Sequence, residues 1–77
     1  MKTKREGYLG YNCENDRYGF LVSDLWEIDG FHCGQSFEIL IDGEWIHTRI
    51  EMDIERRWYL VGTDLVGKDL EHQRIRV

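Results

Sequence analysis

The segment SFEILIDGEWIHTRIEM, residues 36–52, constrains the fold of this chain more than any other stretch. Asp42-Gly43 separates two runs in which apolar and polar residues alternate. This pattern predicts two antiparallel strands joined by a two-residue turn in which both turn residues have positive φ. Such a turn fixes the register of the hairpin. The expected cross-strand pairs are Ile41 with Glu44, Leu40 with Trp45, Ile39 with Ile46 and Glu38 with His47.

The two faces of this hairpin differ in chemistry, which predicts where the core lies. One face carries Phe37, Ile39, Ile41, Ile46, Thr48, Ile50 and Met52. The other face carries Glu38, Leu40, Trp45, His47, Arg49 and Glu51. We expect the first face to be buried and the second to be mostly solvated. A slip by one residue would bury glutamates and an arginine, so the register should be unique.

Shorter alternating segments on both sides of the hairpin predict further strands. They are residues 7–11, 18–22, 57–61 and 72–77. Helix signals are poor, since Ser23 or Asp24 could cap at most one turn before Gly30. The prediction is an all-β fold, a small antiparallel barrel of about five strands of the SH3-like type. Closure of a barrel would remove the exposed edges that a short all-β chain must otherwise protect.

The length and composition predict one small domain over residues 1–77, with residues 1–6 as a basic N-terminal tail. The chain has 77 residues, no proline, and 13% aromatic residues, enough for a core. It lacks an apolar run of about 20 residues, the length that a membrane span needs. No apolar stretch follows the positive residues at its start, so we expect no secretory signal and a cytoplasmic protein without membrane contact. Cys13 and Cys33 are then expected to be free thiols.

Charge is distributed unevenly along the chain, although the net charge is −5. The ends carry five basic residues, namely Lys2, Lys4, Arg5, Arg74 and Arg76. The part between them holds all fifteen acidic residues and five basic ones, so its net charge is 5 − 15 = −10. This excess of acid argues against broad phosphate binding. If the terminal strands lie side by side, the ends form one positive pole on an acidic body.

Several motifs resemble those of a family of short bacterial proteins known only as a domain of unknown function. The matching elements are Tyr18-Gly19, His32-x-Gly34, Glu38, Asp42-Gly43-x-Trp45, Thr48-Arg49-Ile50-Glu51 and Trp58-Tyr59-Leu60. The resemblance extends from about Tyr8 to the end of the chain. Members of that family tend to occur in Gram-positive bacteria and on their mobile elements. The resemblance implies a small β domain and brings no activity, cofactor or catalytic residues with it.

The adjacent His32 and Cys33 are the first candidates for chemistry. Neighbouring residues of a strand point to opposite faces, so the imidazole would not reach the thiol as a base must. We expect a structural role instead, in which the segment turns at Gly34, Cys33 packs as a small hydrophobic residue and His32 bonds a backbone carbonyl.

A zinc site is the second candidate. Its ligands would come from Cys13, His32, Cys33, His47 and His72, which lack the spacing of a structural zinc site. A cross-strand ion pair between His47 and Glu38 is the simpler expectation. We therefore predict no catalytic, cofactor or metal site and no enzymatic activity.

The polar face of the hairpin is the predicted partner-binding surface, through Leu40, Trp45, His47 and Arg49. An exposed tryptophan beside an arginine is typical of a binding hot spot. The alternative is that Leu40 and Trp45 are covered or pair with each other. The preferred hypothesis is a non-catalytic module that binds another protein, and a homodimer contact is equally open.

Two other hypotheses belong to different functional classes. One is an inhibitor carried by a mobile element, which would use its acidic surface against a nucleic-acid enzyme. The other is a domain that binds nucleic acid directly through its basic termini.

Overall fold

The computed structural model describes residues 4–77 and confirms the predicted all-β class. These residues form seven strands, and all strand pairings are antiparallel. The strands are β1 (Glu6–Asn12), β2 (Arg17–Val22), β3 (Leu25–Ile28), β4 (Ser36–Ile41), β5 (Glu44–Met52), β6 (Trp58–Leu60) and β7 (Arg74–Arg76). A short 3-10 helix, Gly67–Leu70, lies between β6 and β7.

The strands form one sheet in the order β3-β2-β1-β7-β4-β5-β6. The last strand therefore lies between the first hairpin and the central one, with Arg76 opposite both Glu6 and Glu38. The sequence predicted a closed barrel of about five strands. The described residues instead form seven strands in a sheet that does not close, because β3 and β6 stand at its two ends.

The central hairpin has the predicted register in every pair. Ile41 is opposite Glu44, Leu40 opposite Trp45, Ile39 opposite Ile46, and Glu38 opposite His47. Asp42 and Gly43 have φ values of 51° and 80°, the left-handed conformation that this turn requires. The predicted core face packs inward as expected: Phe37, Ile39, Thr48 and Ile50 are buried. The other three residues of that face are half-buried against the core, namely Ile41, Ile46 and Met52.

Strand β3 lies in the segment after Ser23 and Asp24, for which the sequence allowed at most one helical turn and predicted no strand. Both residues have positive φ, 52° and 63°, so they form a tight turn that folds β3 back onto β2. The sequence gives little warning of this turn, since neither residue is glycine or asparagine. The resulting edge strand exposes two large apolar side chains, Leu25 and Trp26.

The core lies on the inner face of the sheet. Its buried apolar residues are Leu9, Tyr18, Phe20, Phe31, Phe37, Ile39, Ile50, Trp58, Leu60, Leu70 and Ile75. Two of them, Phe31 and Leu70, lie outside the strands and are fully buried. The Phe31 ring packs on Phe37 with 4.8 Å between ring centroids. Full burial of such a side chain stabilises the fold by about 1.5–3 kcal/mol.

The chain ends are paired with each other. Arg5 and Val77 exchange two backbone hydrogen bonds of 2.9 and 2.8 Å, and Glu6 already belongs to β1. Of the predicted basic tail, residues 5–6 thus lie in the paired region, and residues 1–3, with Lys2, lie outside the described residues. Among residues 4–77 there is no helix with the length and apolarity that a membrane crossing requires.

Candidate functional site: an aromatic groove with a basic rim

A concave surface of about 490 Å³ lies where the β1–β2 turn approaches the start of β6 and the 3-10 helix. We call it the Trp58 groove. Its aromatic lining is Tyr11, Tyr18 and Trp58, and its polar lining is Arg56, Arg57, Lys68 and Glu71, with Gly67 between them. Its volume is within the range of ordinary ligand sites, about 300–1,000 Å³.

The aromatic rings of the groove are held by hydrogen bonds at their polar ends. The Tyr18 hydroxyl donates to the Gly67 carbonyl at 3.0 Å, and the Trp58 indole N–H donates to the Asp16 carbonyl at 3.0 Å. Tyr11 meets Tyr18 edge to face, with 5.4 Å between ring centroids. These contacts fix the orientation of the rings within the protein.

The tyrosine hydroxyls act as donors inside the protein. The Tyr11 hydroxyl donates to the Asp16 carboxylate, and this hydrogen bond is the main reason that the pKa of Tyr11 is raised. Burial raises the pKa of Tyr18, with a smaller contribution from the charges of Glu71 and Asp69. Both hydroxyls therefore remain protonated at neutral pH. The Glu71 carboxylate accepts a hydrogen bond from the Tyr11 backbone N–H at 3.1 Å.

Of the three cations that line the groove, one has ion pairs and two have none. Arg57 pairs with Asp53 at 3.1 Å and with Glu55 at 3.4 Å. Arg56 and Lys68 are exposed and have no carboxylate partner among residues 4–77. These two side chains give the groove a positive rim.

Arg17 is the third lysine or arginine in residues 4–77 without an ion pair, and it also belongs to this region. Its guanidinium donates to the Phe31 carbonyl at 2.8 Å and lies 5.7 Å from the centre of the Trp58 ring. Arg17 therefore makes a cation–π contact with Trp58 and adds positive charge close to the groove.

The predicted hairpin surface is present, but it is partly occupied by the protein itself. His47 and Arg49 are exposed, whereas Leu40 and Trp45 are half-buried. The Arg76 guanidinium lies 4.4 Å from the centre of the Trp45 ring, and Arg49 pairs with Glu51 at 3.0 Å. The four predicted residues thus lie close together, with less free apolar surface than the sequence indicated.

The expected ion pair between His47 and Glu38 does not form, although the two residues are opposite each other. Glu38 instead accepts from Arg76 at 2.7 Å and from Lys4 at 2.5 Å. These two cations hold the pKa of Glu38 at about 2, with Arg76 as the larger cause. The prediction failed because Arg76 and Lys4 come from the chain ends, which the pattern of the hairpin does not reveal.

The predicted positive pole at the chain ends is largely offset by ion pairs, because its four described cations meet three carboxylates. The termini do lie side by side, but Arg5 pairs with Glu27 at 2.8 Å and Arg74 pairs with Glu6 at 3.2 Å. Lys4 and Arg76 share Glu38. Every terminal cation that the structure describes therefore has a carboxylate partner.

His32 and Cys33 lie in the turn before β4, where Gly34 has the left-handed φ of 88°. Both residues are exposed, so the prediction that Cys33 packs as a small hydrophobic residue is wrong. The position that enters the core is Phe31, one residue before His32. Cys13 is exposed as well, and the two cysteines are free. Residues 4–77 contain no group of three or more histidine, cysteine or acidic side chains placed to hold a metal ion.

The Trp58 groove was missed by sequence reasoning because its lining comes from three distant parts of the chain. Tyr11 and Tyr18 flank the first turn, Trp58 begins β6, and Lys68 lies in the 3-10 helix. The one available signal was the run Arg56-Arg57-Trp58, in which two cations precede an aromatic residue. That run alone does not reveal which side chains it would meet.

Comparisons with known proteins support the fold and identify the family. A protein from Ruminococcus gnavus with a crystal structure is 35% identical to this chain, with a TM-score of 0.79. The match covers 95% of this chain and 100% of that protein. None of the curated proteins matches the chain. The sequence model of a family described as a domain of unknown function, DUF5348, matches residues 7–77. The chain belongs to the DUF5348 family, as its sequence motifs predicted.

Proposed function

We propose that this protein is a non-catalytic, cytoplasmic module that binds another protein through the Trp58 groove. The proposal rests on two features that occur together at this groove. The groove has three fixed aromatic rings, and the cations without ion pairs in residues 4–77 surround it. Tryptophan, tyrosine and arginine are the residues most enriched at protein-binding hot spots.

The form of the groove favours a segment of a protein as its occupant. Aromatic-lined grooves with preformed walls are a recurrent site for extended peptides, because flat rings pack against an extended chain without an entropy cost of their own. The walls here are strand ends and a short helix, held by the bonds of Tyr18 and Trp58. The side chains of the groove are therefore already ordered before a peptide binds.

The chemistry of the groove supports a binding role over a catalytic one. A general acid or base must have a proton-transferring group within reach of the substrate. The Tyr11 and Tyr18 hydroxyls both donate to acceptors of the protein, and the Glu71 carboxylate accepts the Tyr11 amide. The exposed free thiols of Cys13 and Cys33 are consistent with a reducing compartment such as the cytoplasm.

A second candidate is the inhibitor with an acidic surface, which the net charge of −5 favours. Its partner would be a basic nucleic-acid enzyme, so the charge of the bound partner separates the two proposals. Direct binding of nucleic acid through the termini is less favoured, because Lys4, Arg5, Arg74 and Arg76 are already paired with carboxylates.

The proposal is tested by selecting peptides on the protein from a random display library. Peptides of about twelve residues are suitable, because an extended chain of that length spans roughly 40 Å, against 37 Å for the longest dimension of the protein. Selected peptides are then measured on two matched double variants, Tyr11→Ala/Lys68→Ala in the groove and Trp45→Ala/Arg49→Ala on the hairpin. Each variant removes one aromatic ring and one cation, and circular dichroism confirms that each remains folded.

We expect the groove variant to weaken peptide binding at least about tenfold, as the loss of a hot-spot contact does. The hairpin variant should bind as the wild type does. Peptides that bind the groove variant normally and fail on the hairpin variant would move the binding surface to Leu40, Trp45, His47 and Arg49.

A further inference from the structure

We infer that the partner segment in the Trp58 groove is acidic, and that it inserts an aromatic or aliphatic side chain among the groove rings. This inference rests on the proposed function and adds the chemistry of the occupant. Its starting point is the charge of the chain. A protein with a net charge of −5 would ordinarily repel an acidic partner.

The distribution of ion pairs makes the groove an exception to this repulsion. Of the nine lysines and arginines in residues 4–77, six pair with carboxylates of the protein: Lys4, Arg5, Arg49, Arg57, Arg74 and Arg76. The remaining three are Arg17, Arg56 and Lys68. Arg56 and Lys68 line the groove, and Arg17 lies on its Trp58 ring. The lysines and arginines of residues 4–77 that have no ion pair are therefore concentrated at one surface.

The acidic groups near the groove accept hydrogen bonds within the protein and keep their charge, and the lining itself has three cations and one carboxylate. Asp16 accepts the Tyr11 hydroxyl, Glu71 accepts the Tyr11 amide, and Asp53 accepts two backbone N–H groups and the Arg57 side chain. These contacts hold the pKa of the Asp53 carboxyl below its usual value, with the Arg57 backbone N–H as the largest cause. Arg56 and Lys68 remain as donors for carboxylates from outside.

The apolar side chain and the carboxylates of the partner segment contribute differently to binding. Exposed ion pairs are individually weak, so the affinity must come mainly from the apolar side chain of the partner. That side chain would pack mainly against the exposed ring of Tyr11, beside the largely buried rings of Tyr18 and Trp58. The carboxylates of the segment select the partner and speed its approach, because opposite charges steer association. Salt should therefore weaken binding without abolishing it, since it screens the exposed pairs and leaves the apolar contact intact.

The test is the composition of peptides from a library of random sequences without charge bias. Selection is performed in parallel on the wild type and on the Tyr11→Ala variant, which removes an exposed ring of the groove and no charge. Peptides lost on Tyr11→Ala are the groove-dependent ones, and their affinities are then compared on the wild type and on the charge variant Arg56→Gln/Lys68→Gln. The control variant, Arg49→Gln/Arg74→Gln, removes the same amount of charge from other surfaces. Sequencing then identifies peptides that depend on the groove, and their affinities are measured at low and high salt.

We expect groove-dependent peptides to be enriched in aspartate and glutamate and to contain at least one aromatic or aliphatic residue. Their affinity should fall about fivefold on Arg56→Gln/Lys68→Gln, as expected for the loss of two exposed charge contacts. It should change less than about twofold on the control variant. Raising the salt should remove most of the difference between the two variants.

The contrary outcomes separate this inference from the proposed function. Groove-dependent peptides that are neutral or basic would overturn the inference and leave the groove as a binding site. A selection that yields no groove-dependent peptides would overturn the proposed function itself.

Discussion

Arg76 lies over the indole ring of Trp45, with its guanidinium carbon 4.4 Å from the ring centre. The same guanidinium donates to Glu38 at 2.7 Å, and Lys4 joins the pair from the other chain end. The last strand, the central hairpin and the N-terminal segment thus meet in one polar cluster. This arrangement gives the Trp45 ring a partner within the protein and leaves less of it free for other contacts.

The Glu38 cluster predicts a pH dependence of stability. The pKa of Glu38 is about 2 in the folded protein, compared with an ordinary value of 4.5. Between these values the unfolded chain binds more protons, so the contribution of Glu38 is complete above about pH 4.5 and is lost as the pH falls towards 2. The check is urea unfolding of the wild type and Glu38→Gln between about pH 6 and pH 2. We expect the stability advantage of the wild type to shrink across this window, and a constant difference would contradict the pairing.

The packing of β2 predicts that Gly19→Ala destabilises the protein. A Cβ at Gly19 would lie 2.3 Å from the Ile28 carbonyl oxygen and 2.9 Å from the Trp26 ring. Overpacking of this kind costs about 1–3 kcal/mol, which thermal or urea unfolding will measure. Ser36→Ala, at an exposed strand position, is the control and should change the free energy of unfolding by less than about 0.5 kcal/mol. Equal stability of the two variants would mean that β3 does not pack on Gly19.

The exposure of the cysteines predicts their behaviour towards thiol reagents. Cys13 and Cys33 are free and exposed, so the native protein should release two equivalents of thionitrobenzoate with Ellman's reagent. Both should react in the native protein nearly as fast as in urea, because burial does not protect them. Single variants Cys13→Ser and Cys33→Ser measure the reaction of each thiol separately. A protected thiol at Cys33 would restore the buried role that the sequence indicated.

The sequence was most informative where local pattern and turn chemistry agree. Asp42-Gly43 and the alternation around it predict the register of β4 and β5, because a one-residue slip would bury charges. Strand β3 was missed because Ser23 and Asp24 adopt positive φ without being glycine or asparagine. Strand propensity could not decide between a helical turn and a strand in so short a segment.

The candidate site was less accessible from the sequence than the fold. Leu40, Trp45, His47 and Arg49 were recognised as one face because they share a hairpin, which is a local property. Tyr11 and Trp58 come together only through tertiary packing. Arg56 and Lys68 can be recognised as cations without ion pairs only once the partners of the other described lysines and arginines are known. The resemblance to the family supported the fold and carried no information about either surface.

The central claim is that the partner binds in the Trp58 groove, and an amide chemical-shift map tests it most directly. Uniformly ¹⁵N-labelled protein is titrated with one of the selected peptides. We expect the largest changes in amide chemical shift at Tyr11, Trp58, Gly67 and Lys68. Shifts concentrated instead on Leu40, Trp45, His47 and Arg49, with the groove unperturbed, would contradict it.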